Sequence, residues 1–229
     1  MVKANLNRIK ERIARVCSKI NREVESITIV AVAKNRTAEQ IKEAVEAGIS
    51  DIGENRVQEA LVKFDELRVI SYELRLKWHM VGHLQSNKVK DAVKLFDLIH
   101  SVDSLKLAEE IDKQAKKIDK IQDVLIEINA SGEAFKYGFK PQEAIEVVKD
   151  MASLKNLSIK GLMTVAPIVD NPEKTKPYFR MLREIRDRIN EHQVSSIKHQ
   201  VLSMGMSDDF EAAIEEGADI VRLGRAIFE

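Results

Sequence analysis

Ile27-Thr28-Ile29-Val30-Ala31-Val32-Ala33-Lys34 is an apolar, β-branched stretch that ends at a lysine and precedes the polar residues Asn35-Arg36-Thr37. So short an apolar run between polar residues predicts a parallel strand that is covered on both faces. Lys34 then lies at the carboxyl end of the strand, where α/β proteins bind ligands. Desolvation there, with Arg36 nearby, would favour a neutral amine that attacks an aldehyde, but a lysine that extends from the strand into solvent is the simpler interpretation.

Composition limits the class of protein before any motif is considered. The 229 residues suffice for one large domain with a sizeable core, so we expect a single domain over residues 1–229. Lysine plus arginine and aspartate plus glutamate number 37 each, which gives no overall field toward nucleic acid or an acidic membrane. Cys17 is the only cysteine, and the sequence lacks an apolar signal segment or a run of membrane-spanning length. We therefore predict a cytoplasmic protein that binds neither nucleic acid nor a membrane.

Short apolar segments alternate with amphipathic helical segments along the whole chain. The predicted strands are 27–34, 51–55, 77–82, 98–102, 124–129, 159–164, 199–203 and 219–223. Hydrophobic spacing and capping residues predict helices near 4–23, 37–48, 56–67, 86–95, 105–117, 178–191 and 207–217, with a further helix opened by Pro141. This alternation predicts an α/β fold, a single (β/α)8 TIM barrel with an additional N-terminal helix. An open, doubly wound sheet is the alternative.

Polar residues finish the predicted strands, and a closed barrel would bring them to one face. They are Lys34, Asn55, His79, Ser101, Asn129, Thr164, Ser203 and Arg222. Gly205 and Gly224 follow strands seven and eight, where barrels commonly bind phosphate, because glycine lets backbone N–H groups approach an anion. Each glycine could instead serve only a turn. An amine that faces a phosphate pocket suits a phosphorylated aldehyde, of which pyridoxal 5'-phosphate is the obvious candidate.

Six motifs in order extend the argument beyond single residues. They are AVAK at 31–34, GENRVQE at 53–59, WHMVGHLQSNK at 78–88, GLMT at 161–164, LSMGMSDD at 202–209 and VRLGRAIF at 221–228. Together they resemble the pyridoxal phosphate homeostasis proteins, which are related to the barrel domain of alanine racemases. The resemblance covers nearly the whole chain.

The resemblance implies a role for each matching residue. Lys34 would hold pyridoxal 5'-phosphate as an internal aldimine, and Arg222 would face the pyridine nitrogen. The phosphate would be held by Ser203 and by backbone groups around Gly205, Met206, Gly224 and Arg225. The residues expected to line the pocket are Asn55, His79 and Met163. No residue is expected to bind a metal.

Three positions need separate comment within that resemblance. Lys136 lies in a loop that resembles a family loop close to the cofactor, and it is a candidate second contact. His83 stands where the family often has proline, which changes the local turn. Arg225 stands at a position that is sometimes a hydroxyl residue, so one phosphate hydrogen bond would be lost or replaced by charge.

Three functions are compatible with this pocket. We predict a protein that stores, buffers or delivers pyridoxal phosphate inside the cell, as a monomer, with apo-forms of enzymes that use this cofactor as recipients. The alternative is a pyridoxal-phosphate-dependent amino-acid racemase or related enzyme, but racemization needs proton donors on both faces of the cofactor, and of three tyrosines only Tyr137 lies in a strand-end loop. A lyase that uses Lys34 on a phosphosugar without a cofactor is the third. We therefore expect no catalytic residue in the strict sense.

Overall fold

The computed structural model describes residues 1–191 and 200–229, and its strands close into a barrel of eight parallel strands in sequence order. The strands are β1 (Thr28–Val32), β2 (Asp51–Glu54), β3 (Lys77–Met80), β4 (Leu98–Val102), β5 (Gln122–Glu127), β6 (Leu157–Met163), β7 (Val201–Ser203) and β8 (Ile220–Leu223). The last strand pairs with the first, with Thr28 opposite Ile220 and Ala31 opposite Leu223. The closed sheet confirms the (β/α)8 barrel and excludes the open, doubly wound alternative.

Helices alternate with the strands as the hydrophobic pattern predicts. They are α1 (Val2–Lys19), α2 (Ala38–Glu46), α3 (Val57–Glu66), α4 (Arg68–Glu73), α5 (Val89–Leu95), α6 (Leu105–Lys116), α7 (Ala144–Met151), α8 (Lys176–Glu191), α9 (Phe210–Glu215) and α10 (Arg225–Phe228). The predicted N-terminal helix is α1, which buries Leu6, Ile9 and Ile13 and packs against α2, α9 and α10. The short α10 is missed by sequence reasoning because four residues give no periodic pattern.

Several element boundaries differ from the predicted ones, and the differences matter at the strand ends. β1 ends at Val32, so Ala33 and Lys34 belong to the turn that leaves the barrel. The helix expected from Ser207 begins at Phe210, which leaves Ser207 in a turn. The predicted strand 199–203 is observed from Val201 onward, and His199 lies outside the described residues.

The apolar core has two parts. The larger part packs the helices against the outside of the barrel. A smaller cluster consists of Val30, Leu98, Leu125, Met163 and Ile220, which come from five different strands. Because several of these strands are not neighbours in the closed sheet, their side chains meet inside the barrel. Buried polar side chains, among them His79, His100, Ser203 and Arg222, share the interior with this cluster, and Arg222 reaches the site described next.

None of the helices in the described ranges combines the length and the apolar character that crossing a lipid bilayer requires.

Candidate functional site

A cavity of ≈ 530 Å³ opens at the carboxyl ends of the strands. Its volume falls in the range of about 300–1,000 Å³ that is typical of small-molecule sites. Six of the predicted site residues line it, namely Lys34, Asn55, Met206, Arg222, Gly224 and Arg225. A wider groove of ≈ 800 Å³ lies on the outer surface between α2 and α3 and is lined by none of the predicted site residues. The strand-end cavity is therefore the candidate site.

Lys34 lies in the turn between β1 and α2, and its side chain lines the cavity. The residue is exposed, and within the described part of the chain its amine makes no hydrogen bond or ion pair. Arg36, expected beside it, instead forms an ion pair with Glu229 and lies over the ring of Phe228. The expected desolvation of Lys34 is therefore wrong. Its amine is accessible to a ligand because no protein group occupies it.

A buried ion pair anchors the turn that carries Lys34. The Nζ of Lys63 on α3 lies 2.5 Å from Oε1 of Glu54 at the end of β2, and it donates a second hydrogen bond of 2.6 Å to the carbonyl oxygen of Ala33. Glu54 is fully buried, and burial raises the pKa of its carboxyl group against the opposing effect of Lys63. Because Ala33 directly precedes Lys34, this pair fixes where the amine leaves the barrel. Sequence reasoning missed it.

Four predicted site residues lie behind the cavity wall instead of lining it. His79 and Ser203 are buried and hydrogen bonded inside the barrel, and Met163 belongs to the interior apolar cluster. Gly205 has a φ of 90°, and a Cβ there would lie 2.5 Å from the Cβ of Ala213. Glycine is thus required at 205 to pack the loop on α9, which is a sufficient reason without an anion. These four residues support the cavity.

Ser207 lines the cavity where Ser203 was expected to act. The Oγ of Ser207 accepts the backbone N–H of Ala226 in α10 at 3.2 Å. Its own O–H donates to no residue in ranges 1–191 and 200–229, so the proton is available to a ligand. Ser203 and Ser207 belong to the same motif, and the turn at Gly205 determines which of the two hydroxyls faces the cavity.

Gly224 and Arg225 line the cavity at the end of β8, the strand that pairs with β1 and so lies beside the turn of Lys34. A Cβ at Gly224 would lie 3.4 Å from the carbonyl oxygen of Val32, which is ordinary contact, so the absent side chain mainly leaves the cavity open. Arg225 pairs with Asp208 at 2.5 Å, and both side chains are largely exposed at the rim. The positive charge expected from Arg225 is therefore shared with a carboxylate.

Arg222 brings a fixed guanidinium to the cavity floor. It is 4% exposed, and its two terminal nitrogens donate to Oγ of Ser203 at 2.6 Å and to the carbonyl oxygen of Thr164 at 2.8 Å. Burial lowers the pKa of Arg222 to about 10, against the opposing charges of Glu127 and Asp209. The side chain is thus still cationic at neutral pH. Two of its five N–H groups are used by these bonds, and the residue lines the cavity, so its other N–H groups are not engaged by a hydrogen bond within the described ranges.

Glu127 is a half-buried carboxyl group that sequence reasoning did not single out. It ends β5, and burial raises its pKa to about 7, with a further increase from Asp103 and a decrease from Arg222. The group therefore titrates near neutral pH beside the arginine of the cavity floor. A raised carboxyl pKa of this kind is common at functional sites.

We expect Glu127→Gln to change how stability depends on pH. Because the pKa of Glu127 is higher in the folded state than the ordinary value of 4.5, the folded state binds this proton more tightly, and stability is lost as pH rises through about 7. The variant should therefore be more stable than the parent at pH 8, by up to about 3 kcal/mol, and equal to it near pH 4. Urea unfolding of both proteins from pH 4 to 8 measures this difference. A constant difference across that range would contradict the assignment.

A second cavity of ≈ 500 Å³ adjoins the first and shares Lys34 and Asn55 with it. His83 lines this second cavity, and its ring stacks on Tyr137 with 3.7 Å between centroids, while its Nδ1 lies 3.0 Å from Asp103. The unexpected histidine at 83 thus joins two strand-end loops. Lys136 is paired with Glu133 and lines neither cavity, but its Nζ lies 3.5 Å from the carbonyl oxygen of Val165, which lines the first cavity.

Comparison with known proteins covers the whole barrel. The family model described as "Alanine racemase, N-terminal domain" matches residues 4–229. The chain is 44% identical to the pyridoxal phosphate homeostasis protein of Aquifex aeolicus, over 97% of this chain and 95% of that protein. It is 35% identical to the structure of PipY from Synechococcus elongatus with PLP bound, with a TM-score of 0.83 and coverage of 96% of this chain and 100% of that chain. An alanine racemase of Clostridium difficile superposes with a TM-score of 0.73 at 21% identity over 99% of this chain and 56% of that chain, a likeness that concerns the fold alone.

Proposed function

The chain belongs to the pyridoxal phosphate homeostasis protein family, built on the alanine racemase N-terminal domain, and on this premise we propose that it binds pyridoxal 5'-phosphate in the strand-end cavity and serves as an intracellular carrier of it. The observation that carries the proposal is the amine of Lys34, which has no protein partner in the described ranges and lines one cavity together with the hydroxyl of Ser207 and the backbone at Gly224. A single cytoplasmic domain, acting as a monomer, is part of the proposal.

The donors around the cavity fit this cofactor. When bound, pyridoxal phosphate supplies an aldehyde that bonds to primary amines and a ring that withdraws electrons. Lys34 offers the amine, Ser207 offers a free O–H beside Gly224, and Arg222 offers N–H groups on the floor. We assign the phosphate to Ser207 and the backbone at Gly224, in place of Ser203, and the floor to Arg222. Asn55, Met206 and Arg225 complete the lining, while His79, Met163, Ser203 and Gly205 act from behind it.

Arg222 favours a role in binding pyridoxal phosphate over catalysis of amino-acid reactions. A permanently charged guanidinium near the pyridine nitrogen disfavours protonation of that nitrogen, because two positive charges would lie close together in a partly desolvated site. The ring is then a weaker electron sink, so carbanion chemistry has little support. This is the reason to prefer a carrier to an enzyme.

The titratable groups of the cavity support the same choice. Besides Lys34 and the arginines they are Asp208, which pairs with Arg225, and Asp209, whose Oδ1 accepts the backbone N–H of Met206 at 2.6 Å. Tyr137 lines neither cavity among the described residues. A racemase needs a base on each face of the cofactor, and within ranges 1–191 and 200–229 the carboxylates of this cavity are engaged by Arg225 and by the backbone of Met206.

Two measurements test the function. Titration of the purified protein with pyridoxal phosphate should produce a visible absorption band of the lysine-bound cofactor, and a lyase that needs no cofactor would show none. Incubation with separate L- and D-amino acids in deuterated water, followed by NMR at Cα, should give negligible exchange. Rapid exchange by the unmodified protein would replace the carrier with an enzyme. Transfer of cofactor to an apo-enzyme, faster than its release to a trapping amine, would identify delivery.

We expect Ser207→Ala to weaken cofactor binding more than Ser203→Ala does. Loss of a hydrogen bond to a charged phosphate costs about 1.5–3 kcal/mol, or roughly 10- to 150-fold in Kd. Ser203→Ala removes a partner of Arg222 and leaves the phosphate contacts in place. Fluorescence or absorbance titration of both variants with pyridoxal phosphate measures Kd, and titration with pyridoxal, which lacks the phosphate, is the control. If Ser203→Ala caused the larger loss, the phosphate would be held by the serine that the sequence suggested first.

A further inference from the structure

Five buried side chains from five strands form one hydrogen-bonded chain inside the barrel. Asp51 Oδ1 lies 2.9 Å from His79 Nε2, His79 Nδ1 lies 2.9 Å from His100 Nε2, and His100 Nδ1 lies 2.9 Å from Oγ of Ser203. Arg222 completes the chain with its 2.6 Å bond to the same Oγ. His100 and Ser203 are fully buried, so water does not substitute for any of these partners.

This series of hydrogen bonds runs through the barrel from the cavity to the amino-terminal ends of the strands. His100 is on β4 and Ser203 on β7, which are not neighbours in the sheet, so their bond spans the interior. Arg222 lies near the carboxyl end of β8 at the cavity, whereas Asp51 is the first residue of β2 at the opposite end of the barrel. The chain thus connects the cavity floor to the far end of the interior.

Donor and acceptor roles follow from the two ends of the chain. Burial acts to raise the pKa of Asp51, but hydrogen bonds from His79 and Ser50 hold it below its ordinary value, so Asp51 is an anion and only accepts. Burial is the main cause that lowers the pKa of His100 well below its ordinary value, so His100 is neutral. With His79 neutral as well, His79 donates through Nε2 to Asp51 and accepts at Nδ1, His100 does the same in turn, and Ser203 donates to His100.

Each hydrogen bond of the series is therefore donated in the direction away from the cavity, from Arg222 towards Asp51. The oxygen of Ser203 donates its proton to His100 and accepts from Arg222. A hydroxyl that donates its own proton is a stronger acceptor, because hydrogen bonds in a chain polarise one another. Arg222 is held on that oxygen at 2.6 Å, and the same residue lines the cavity.

We propose that His100 is a positioning residue for the ligand site: through Ser203 it holds Arg222 in one orientation beneath the bound ring. The proposal rests on the proposed function for the identity of the ring, but the orientation of Arg222 is a property of the protein alone. Glu127 and Asp209 also act on Arg222 by charge, and the variants below leave both unchanged.

Two near-isosteric variants of His100 separate its bond to His79 from its bond to Ser203. His100→Asn keeps an oxygen near the position of Nδ1, so it can accept from Ser203, but it loses the bond to His79. His100→Gln places its amide near the position of Nε2, so it keeps the bond to His79 and loses the bond to Ser203. A general packing role predicts equal effects of the two, whereas positioning of Arg222 through Ser203 predicts that only His100→Gln releases the guanidinium.

The first measurement uses the protein without cofactor. Long-range ¹H–¹⁵N spectra at pH 7 should give the neutral Nε2–H form for both His79 and His100, and the Nη groups of Arg222 should rotate slowly in the parent and in His100→Asn but fast in His100→Gln. An Nδ1–H form of either histidine, or slow rotation in both variants, overturns the proposal. Ser203→Ala should resemble His100→Gln.

The second measurement uses the loaded protein. The pH midpoint of the bound-cofactor spectrum should shift by about one unit in His100→Gln, a tenfold change in proton affinity, and by much less in His100→Asn. Equal shifts in the two variants would contradict positioning through Ser203. If the parent formed no cofactor band at all, the proposed function would fail, and the spectra of the free protein would still decide the orientation of Arg222.

Discussion

Lys34→Ala should abolish the visible absorption band that forms when pyridoxal phosphate is added. The amine of Lys34 is the one at the cavity wall that faces the phosphate donors, and methyl cannot form the covalent bond to the aldehyde. The fold should be unaffected, because Lys34 is exposed in a turn and its side chain makes no contact that the core needs. Absorbance titration measures the first effect and thermal unfolding the second.

Lys88→Ala is the matched control for this variant. Lys88 lines the adjoining cavity and not the one assigned to the cofactor, so its loss should leave the band intact. An undiminished band in Lys34→Ala would move the covalent bond to another lysine, with Lys136 the first to be tested. Binding of pyridoxal phosphate without the band in Lys34→Ala would agree with the assignment, because the phosphate contacts remain.

Lys63→Met should cost about 3–5 kcal/mol of unfolding free energy, as expected when one partner of a buried ion pair is removed. The change leaves Glu54 in the core without its cation and removes one of the two hydrogen bonds to the carbonyl oxygen of Ala33, which keeps the bond from the N–H of Arg36. Oε2 of Glu54 has no hydrogen-bond partner among the described residues, so nothing else compensates it. Urea unfolding at pH 7 measures the loss. We also expect weaker cofactor binding, because Ala33 sets the position of Lys34.

Two further variants make this result specific. Lys113→Met removes an ion pair with Glu110 on the exposed face of α6, and such a pair contributes less than about 1 kcal/mol. The double variant Glu54→Gln/Lys63→Met removes both buried charges and should recover part of the stability. A loss of less than about 1 kcal/mol in Lys63→Met would mean that Glu54 becomes protonated at little cost and that the pair does not anchor the turn.

The sequence predicts the barrel and the position of Lys34 well, because both depend on local patterns. β-branched runs and helical stripes repeat along the chain, and each strand end follows from where an apolar run stops. The orientation of side chains beyond a strand end is not local. Ser203 and Ser207 are four residues apart, and the turn at Gly205, with its positive φ, decides which of them faces the cavity.

Contacts between buried side chains are the second feature that the sequence alone does not predict. Nothing in the local pattern around Lys63 indicates that it would bury its amine against Glu54 and Ala33, since a lysine on a helix is usually solvated. Exposure of Lys34 was mispredicted for a related reason. Arg36 was expected to act on its neighbour, but its partner is Glu229 at the other end of the chain.

The polar interior of the barrel has a consequence for how the chain folds. The bond between His100 and Ser203 joins residues 103 positions apart, and the bond from Arg222 to Thr164 joins residues 58 apart. A barrel that lacks β7 leaves Nδ1 of His100 without Ser203 as its partner, and a buried nitrogen without a partner costs about 1–3 kcal/mol. Contacts of such long range also form late, because the entropy of closing the loops must be overcome first. Partly closed barrels are therefore disfavoured, and we expect slow, strongly cooperative folding with few populated intermediates.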